Sequence, residues 1–242
     1  MRVRVLGVIP ARYGSTRLPG KPLLDLGGKP MIQWVYERAR QARLLERLLV
    51  ATDDERIVAA VEKFGGEARM TSPDHPTGSD RIAEVVRGIE CEAVVNVQGD
   101  EPLIDPQVID LATQALLDDT SVSMSTLMIC IGEEEARDRN VTKVVVDGNG
   151  FALYFSAAPI PCHRAETGHG WRKHIGLYVY RRDFLLLYPT LPRTPLEQTE
   201  KLEQLRALEH GYRIKVVETD YDSVSIDVPE DVPRVLALLG NS

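Results

Sequence analysis

Three cationic side chains lie within ten residues of one another, directly after the first apolar run of the chain: Arg12, Arg17 and Lys21. The loop that holds them runs from Ala11 to Pro22. The loop also carries Gly14 and Gly20, which let backbone N–H groups approach a ligand. Ser15 and Thr16 add hydroxyl donors. Cations, glycines and hydroxyls in one loop suit the binding of a triphosphate. A solvated basic turn is the alternative interpretation.

The spacing of this loop departs from the common phosphate-binding motifs. Five residues separate Gly14 from Gly20, where a Walker A loop has four, and Pro22 stands in place of its Ser or Thr. The loop is not a GxGxxG fingerprint either. The residue types therefore predict phosphate binding without assigning the loop to either class.

Two carboxylates could hold a metal ion beside such a phosphate group. Asp100 follows the strongly apolar run Ala93–Val97, and Asp227 precedes Pro229, where a helix could begin. Mg²⁺ prefers one or two carboxylates together with phosphate oxygens. From the residues alone, an ordinary turn and an ordinary helix N-terminus remain the simpler explanations.

The elements that must position these side chains alternate between strand and helix in the first half of the chain. Strands are predicted at Val3–Ile9, Leu48–Thr52, Glu67–Thr71 and Ala93–Val97. Helices are predicted at Met31–Arg43, at Asp54–Phe64, from after Ser79 to about Arg87, and at Pro106–Leu117. This alternation predicts a parallel sheet with helices on both faces, in which ligands bind outside the carboxyl ends of the strands.

After Ser121 the pattern changes to strands with little helix between them, which predicts antiparallel pairing. The predicted strands are Ser123–Ile131, Thr142–Asp147, Ala152–Phe155 and Ile175–Tyr180. A loop at Ala157–Trp171, a helix at Pro195–His210, a strand at Arg213–Val217 and a helix at Pro229–Leu239 complete the chain. We expect one α/β domain over residues 1–242, Rossmann-like, with a mixed, mostly parallel sheet and a small β-rich lobe.

The composition excludes several classes of protein. Of the 242 residues, 43% are hydrophobic and 27% are charged, as in globular proteins, and the net charge of −7 disfavours non-specific nucleic-acid binding. The cysteines Cys91, Cys130 and Cys162 are isolated and odd in number, which argues against a disulfide framework. No apolar stretch approaches the ~18–20 residues of a membrane helix. We therefore expect a cytoplasmic protein without nucleic-acid partners or membrane insertion.

Six segments, in order and spread over essentially the whole chain, resemble the 3-deoxy-manno-octulosonate (Kdo) cytidylyltransferases, also called CMP-Kdo synthetases. They are Pro10–Pro22, Asn96–Pro102, Tyr154–Ser156, Lys173–Gly176, Leu202–Arg206 and Asp227–Asp231. The resemblance implies transfer of a cytidylyl group from CTP to a 3-deoxy-2-ulosonic acid, with Mg²⁺, for lipopolysaccharide or another surface glycan. It also implies a homodimer, with residues 1–120 as the nucleotide-binding half and residues 121–242 as the half for sugar binding and dimerisation.

The resemblance assigns roles to particular positions. It implies that Arg12, Lys21 and Asp100 form the catalytic set and that Asp100 and Asp227 bind Mg²⁺. The implied nucleotide-binding residues are Ala11, Arg12, Gly14, Ser15, Arg17, Lys21, Ser79 and Arg81. The implied sugar-binding residues are Gln98, His174, Glu203 and Gln204. From the residues alone, a packed strand histidine and a solvated helix face would explain the last three of these as well.

One position departs from the family pattern, because Ala157 follows Tyr154–Ser156 where the family usually has Arg. The resemblance implies that this Arg contacts the carboxylate of the sugar. We expect a nearby cation to substitute for it, with Arg164, Arg172 and Lys173 as candidates. The alternatives at this position are a substrate that differs from Kdo or weak use of the usual sugar. For the function as a whole, the alternatives are a different sugar acid or nucleotide, or a nucleotide-binding regulator without catalysis. The retained Asp100 and Asp227 argue against a regulator.

Overall fold

The computed structural model describes residues 3–14, 18–165 and 168–240. Ser15 and Arg17, both expected in the nucleotide site, lie outside the described residues. The chain divides into two compact units, Met1–Asp110 with Ser223–Ser242, and Leu111–Asp222. This division differs from the expected halves, because the C-terminal segment belongs to the first unit. Within the described residues, no helix is long and apolar enough to cross a membrane.

The first unit contains a parallel four-stranded sheet, formed by β1 (Val3–Ala11), β2 (Arg47–Thr52), β3 (Ala68–Met70) and β4 (Cys91–Asn96). Its strand order is β3-β2-β1-β4, and each neighbouring pair is parallel. The connecting helices are α1 (Met31–Ala39), α2 (Glu55–Lys63) and α3 (Gly78–Val86). The core of the strands is apolar and buried, as their near-continuous runs of Val, Leu and Ile require.

The strand order reverses between β1 and β4. The chain moves outward from β1 through β2 to β3 and then returns to the other side of β1. Right-handed crossovers therefore place α1 and α2 on one face of the sheet and α3 on the other. Such a reversal opens a crevice at the carboxyl ends of the two central strands, where ligands bind in open α/β sheets. The loops that follow β1 and β4 are the ones that carry Arg12 and Asp100.

The second unit has a mixed sheet. The chain passes from the first unit into this one along helix α4 (Pro106–Leu117). The strands of the second unit are β5 (Met124–Ile131), β6 (Lys143–Val146), β7 (Ala152–Ser156), β8 (Trp171–Arg181) and β9 (Ile214–Glu218). Its helices are α5 (Glu133–Arg137), α6 (Arg182–Leu187), α7 (Pro195–Glu200) and α8 (Gln204–Glu209). Strand β5 pairs antiparallel with β8 and parallel with β9, while β6 pairs antiparallel with β7 and β8. The predicted α/β class with a mixed sheet is confirmed, although α5 and α6 were not expected from the sequence.

The predicted single helix Pro195–His210 is wrong. It is divided into α7 and α8, because Lys201 adopts a left-handed conformation with φ 57°. The guanidinium of Arg206 forms a buried ion pair with Glu197 across this break, with its Nε 2.8 Å from a carboxylate oxygen. The ion pair holds the two short helices together, and the break puts Glu203 and Gln204 at the start of α8.

The C-terminal segment completes the first unit with a 3₁₀ turn at Pro229–Asp231 and helix α9 (Val232–Leu239). Ile226 and Val235 from this segment form a buried apolar cluster with Leu26 and Met31. Burial of these side chains is the main force that returns the end of the chain to its beginning. The segment therefore carries Asp227 back to the sheet from a position far away in sequence.

Candidate nucleotide site at the carboxyl ends of two parallel strands

The loop after β1 is closed by a turn that fixes Lys21. The N–H of Gly20 donates to the carbonyl of Tyr13 over 2.9 Å, and the N–H of Leu23 donates to Gly20 over 2.8 Å. Gly20 has φ 70°, a left-handed conformation that glycine adopts without strain. The turn starts a 3₁₀ helix at Lys21–Leu23, so the side chain of Lys21 projects from a backbone of regular conformation.

The loop after β4 lies directly against the end of β1. A Cβ atom on Gly99 would stand 2.9 Å from the carbonyl oxygen of Pro10, so this approach requires glycine. The N–H of Val97 also donates to the carbonyl of Val8 over 3.0 Å. These contacts bring the loop that carries Gln98 and Asp100 beside the loop that carries Arg12.

Gly99→Ala is expected to lower the catalytic efficiency about tenfold, because the added methyl group must push the Asp100 loop away from Pro10 and small displacements of catalytic groups are costly. Steady-state kinetics with thermal melting as the fold check would measure this. Gly88→Ala is the matched control, because a Cβ there has no atom within 4 Å. Wild-type kinetics for Gly99→Ala would show that the close approach does not position the site.

The C-terminal segment is joined to this loop by its backbone. The N–H of Ile226 donates to the carbonyl of Asp100 over 3.0 Å. The carboxylate of Asp231 accepts from the N–H groups of Val228 and Asp227, at 3.0 and 2.8 Å, and these two bonds hold the pKa of Asp231 below its usual value. The turn is thereby fixed with Asp227 next to Asp100.

The side chain of Lys21 connects the two carboxylates. Its ammonium nitrogen lies 2.8 Å from Oδ2 of Asp100 and 3.4 Å from Oδ1 of Asp227. The lysine side chain is 12% exposed, whereas the two aspartates are 34% and 42% exposed. The ammonium of Lys21 therefore lies between the two carboxylates at the floor of an open cleft.

The residues present fit a magnesium ion. The positive charge of Lys21 already sits where oxygens of Asp100 and Asp227 converge, which is the arrangement that a cation requires. No cluster of three or more His, Cys, Asp or Glu suited to a metal occurs in residues 3–14, 18–165 and 168–240. A site with two carboxylates and room for phosphate oxygens suits Mg²⁺, which keeps several ligands outside the protein.

A cleft of about 190 Å³ surrounds this cluster, lined by the predicted residues Ala11, Arg12, Lys21, Gln98, Asp100 and Asp227, among others. A second cleft of about 250 Å³ shares Ala11, Arg12 and Gln98 and extends to His75, Thr77, Gly78 and Arg81. The two clefts share these lining residues, so they adjoin each other in the first unit. Adjoining clefts that are both lined by cationic side chains suit a nucleotide with its phosphates.

Ser79 and Arg81 are buried on the first turn of α3, at 3% and 4% exposure. The guanidinium of Arg81 donates to Thr71 Oγ1 over 2.5 Å and to Asp53 Oδ2 over 2.8 Å. Arg81 lines the second cleft, but its charge is already paired. Of the other predicted residues in this region, Arg12 and Gly14 are exposed.

Three of the predicted sugar-site residues belong to the second unit. His174 lies on β8 and is half-buried, and Gln204 is buried at the start of α8. The backbone carbonyl of Glu203 accepts a hydrogen bond of 2.5 Å from the hydroxyl of Tyr188. Glu203 and Gln204 therefore do not form a solvated helix face, because the helix break fixes both at a helix start.

Ala157 is held through its backbone by two residues that the sequence did not single out. Its N–H donates to the carboxylate of Glu200 over 3.0 Å, and its carbonyl accepts from the ammonium of Lys143 over 2.7 Å. Glu200 also accepts from the hydroxyl of Ser156 over 2.6 Å. Although burial opposes ionisation, these hydrogen bonds hold the pKa of Glu200 below its usual value, whereas burial lowers the pKa of Lys143.

Two of the three cations expected to replace the missing arginine are engaged with carboxylates. Lys173 lies 2.9 Å from Glu135 and 2.6 Å from Asp222, and Arg172 lies 3.2 Å from Glu218. Arg164 is exposed. The buried lysine found beside Ala157 is instead Lys143, which also donates to the carbonyls of residues 138 and 141. No sequence motif identifies Lys143 in advance, because its hydrogen-bond partners are backbone carbonyls, which any residue carries.

Comparison with known proteins gives one consistent family. The cytidylyltransferase family model matches residues 6–215. The chain is 55% identical to the 3-deoxy-manno-octulosonate cytidylyltransferase of Syntrophotalea carbinolica, over 97% of this chain and 98% of that protein. It is 54% identical to the protein of the same name from Solibacter usitatus, over 97% and 94% of the two chains.

Solved structures agree with this family at the level of the whole fold. The chain matches the structure of CMP:2-keto-3-deoxy-manno-octonic acid synthetase complexed with CTP, with a TM-score of 0.95 and 45% identity, over 98% of this chain and 99% of that chain. A 4-diphosphocytidyl-2C-methyl-D-erythritol synthase from Anaerococcus prevotii shares the fold, with a TM-score of 0.66 and 14% identity, over 98% and 96% of the two chains.

Proposed function

The chain belongs to the cytidylyltransferase family, and from this membership and the geometry of the cleft we propose that it transfers the cytidylyl group of CTP to 3-deoxy-manno-octulosonate. The products are the CMP-sugar and pyrophosphate. The observation that carries the proposal is the position of the Lys21 ammonium between Asp100 and Asp227, at the carboxyl ends of β1 and β4. The 3-deoxy-manno-octulosonate cytidylyltransferases of Syntrophotalea carbinolica and Solibacter usitatus align with this chain over nearly their full length, which supports the same reaction here.

The reaction needs positioning and charge compensation rather than a covalent intermediate with the protein. The anomeric hydroxyl of the sugar attacks the α-phosphorus of CTP, the bond to the β-phosphate oxygen breaks, and the hydroxyl proton is released to the medium. Negative charge accumulates on the departing pyrophosphate. Arg12 and Lys21 lie in the cleft where they can neutralise that charge. Ser15 and Arg17 would support them from the loop segment that lies outside the described residues.

Asp100 and Asp227 would hold Mg²⁺, which supplies positive charge at the phosphate oxygens when bound. Lys21 would then exchange its carboxylate partners for phosphate oxygens of CTP. Gln98 lines both clefts and would face the junction of nucleotide and sugar. We further propose that the enzyme is a cytoplasmic homodimer whose product supplies lipopolysaccharide or another surface glycan.

The identity of the sugar acid is tested by the release of pyrophosphate with a panel of substrates. CTP, UTP, ATP and GTP would each be combined with 3-deoxy-manno-octulosonate, with N-acetylneuraminate and with sugar acids that lack the 3-deoxy group. We expect CTP with 3-deoxy-manno-octulosonate to give the highest catalytic efficiency. A different acid preferred by tenfold or more would assign another substrate, as the alanine at position 157 allows. CTP binding with no accepted acid would instead indicate a regulator.

A further inference from the structure

Asp53 follows β2 directly, at the edge of the sheet where β1 also ends. The two strands are parallel, and Ala11 lies opposite Thr52 at their carboxyl ends. Asp53 therefore leaves the sheet next to Arg12, which lines both clefts. The side chain of Asp53 is 16% exposed. The register of the two strands thus brings a largely buried carboxylate beside the loop after β1.

The two oxygens of the Asp53 carboxylate contact different elements. Oδ2 accepts from the guanidinium of Arg81 over 2.8 Å, and Oδ1 accepts from the backbone N–H of Tyr13 over 3.4 Å. The side chain of Arg81 is 5% exposed and also donates to the hydroxyl of Thr71, directly after β3. One carboxylate therefore joins α3 and the ends of β2 and β3 to the loop after β1.

Tyr13 is the residue at which this loop is anchored. Its carbonyl accepts from the N–H of Gly20 over 2.9 Å. The guanidinium carbon of Arg56 lies 3.4 Å from the centroid of the tyrosine ring, and a Cβ atom on Gly20 would stand 3.2 Å from the same ring. Backbone and ring are both held, so Arg12 on one side and Lys21 on the other leave from fixed points.

The charge of Asp53 and its contacts have opposite effects on a bound phosphate. A carboxylate in this region repels phosphate groups, although the guanidinium of Arg81 compensates its charge. Electrostatics alone would therefore strengthen anion binding when the carboxylate is removed. Loss of a contact that holds the loop would weaken anion binding, because the loop must then be ordered at the expense of affinity. The sign of the change separates the two effects.

We propose that Asp53 is a positioning residue for the loop after β1. It fixes the backbone of Tyr13 against Arg81, so that Arg12 and Lys21 are held ready for the phosphates of the nucleotide. Asp53 itself contacts no nucleotide and acts through Tyr13. The inference rests on the proposed function for the identity of the ligand, whereas the anchoring of the loop does not depend on it.

Asp53→Asn keeps the size of the side chain but breaks one of the two links. An amide has a single oxygen, so it accepts from Arg81 or from Tyr13 and turns its NH₂ group towards the other. We expect the full chain with this change to bind inorganic tripolyphosphate roughly tenfold more weakly in isothermal titration calorimetry. The KM for CTP should rise by a similar factor, with a smaller change in kcat and an unchanged KM for the sugar acid.

Asp25→Asn is the matched control for the loss of a carboxylate in the first unit. Its exposed side chain accepts from the N–H of Gly28 over 3.0 Å, which asparagine can also do, so no measured quantity should change. Tighter or unchanged binding of tripolyphosphate by folded Asp53→Asn would overturn the positioning role. If that variant does not fold, Asp53→Glu replaces it with the same expectation and the same contradicting result, because it keeps the charge and displaces both oxygens.

The anchor is also tested in the unaltered chain, without substrates, by amide hydrogen exchange. We expect the N–H of Tyr13 to exchange at least roughly tenfold more slowly than in an unstructured peptide of the same sequence, because it is hydrogen-bonded to Asp53. Exchange at the rate of the peptide would overturn the anchor. If the chain uses no sugar acid at all, the exchange and tripolyphosphate results still decide the role of Asp53, and the proposed function fails separately.

Discussion

Asp100→Asn is expected to lower turnover on the order of a thousandfold while the protein stays folded, because the change removes one of two charges facing the cation position of the cleft. The backbone carbonyl of Asp100, which accepts from the N–H of Ile226, is unaffected by the substitution. The asparagine oxygen can still accept from Lys21. Pyrophosphate release at saturating CTP and sugar acid, with thermal melting in parallel, measures the effect.

Asp105→Asn provides the matched control for this variant. Asp105 lies five residues further along and caps α4 by accepting from the N–H of Gln107 over 2.9 Å. Asparagine caps a helix as well as aspartate does, so activity and stability should remain those of the wild type. Near-normal turnover of Asp100→Asn at ordinary Mg²⁺ would remove Asp100 from the catalytic site.

Lys21→Met should weaken the use of CTP by about ten- to a hundredfold, because a charge-assisted contact to phosphate contributes roughly 1.5–3 kcal/mol. The same variant should bind Mn²⁺ more tightly than the wild type in the absence of nucleotide. In the wild type the ammonium occupies the position between Asp100 and Asp227, and the variant removes this positive charge from between the two carboxylates. Steady-state kinetics and Mn²⁺ titration followed by electron paramagnetic resonance measure the two effects.

Lys63→Met, on the exposed surface of α2, is the control for loss of a lysine charge and should alter neither quantity. Unchanged kinetic constants for CTP in Lys21→Met would show that Lys21 has no role in phosphate binding, and would support the alternative interpretation of the loop as a solvated basic turn. Unchanged or weaker Mn²⁺ binding would show that Lys21 does not share the cation position with a metal.

The elements of the fold could be predicted where an apolar run or an apolar period was strong. Strand β1 begins at Val3 as predicted and extends to Ala11, because its run of Val, Leu and Ile is buried almost continuously, and helix α4 covers the predicted residues Pro106–Leu117. The break at Lys201 could not be predicted, since neither Gly nor Pro marks it. It is imposed by tertiary contacts, among them the buried pair of Arg206 with Glu197. The register shift between Ser125 and Leu127 in the pairing of β5 with β8 is likewise a property of strand pairing rather than of local sequence.

The candidate site was predictable in its residue types but not in its assembly. The cations of the loop after β1 predict phosphate binding, whereas the approach of Asp227 to Asp100 depends on apolar burial around Ile226, which no spacing in the sequence reveals. Resemblance to a family supplied that link. The contacts of Ala157 with Glu200 and Lys143 could not be inferred at all, because they use backbone atoms of residue 157.

Identification of the product tests the central claim most directly. The purified chain would be incubated with CTP, MgCl₂ and 3-deoxy-manno-octulosonate labelled with ¹⁸O at the anomeric hydroxyl, and the products followed by ³¹P NMR and mass spectrometry. Direct attack on the α-phosphorus predicts a CMP-sugar that retains the label in its bridging oxygen, formed in equal amount with unlabelled pyrophosphate. Label in the pyrophosphate, or consumption of CTP without a CMP-sugar, would contradict the account.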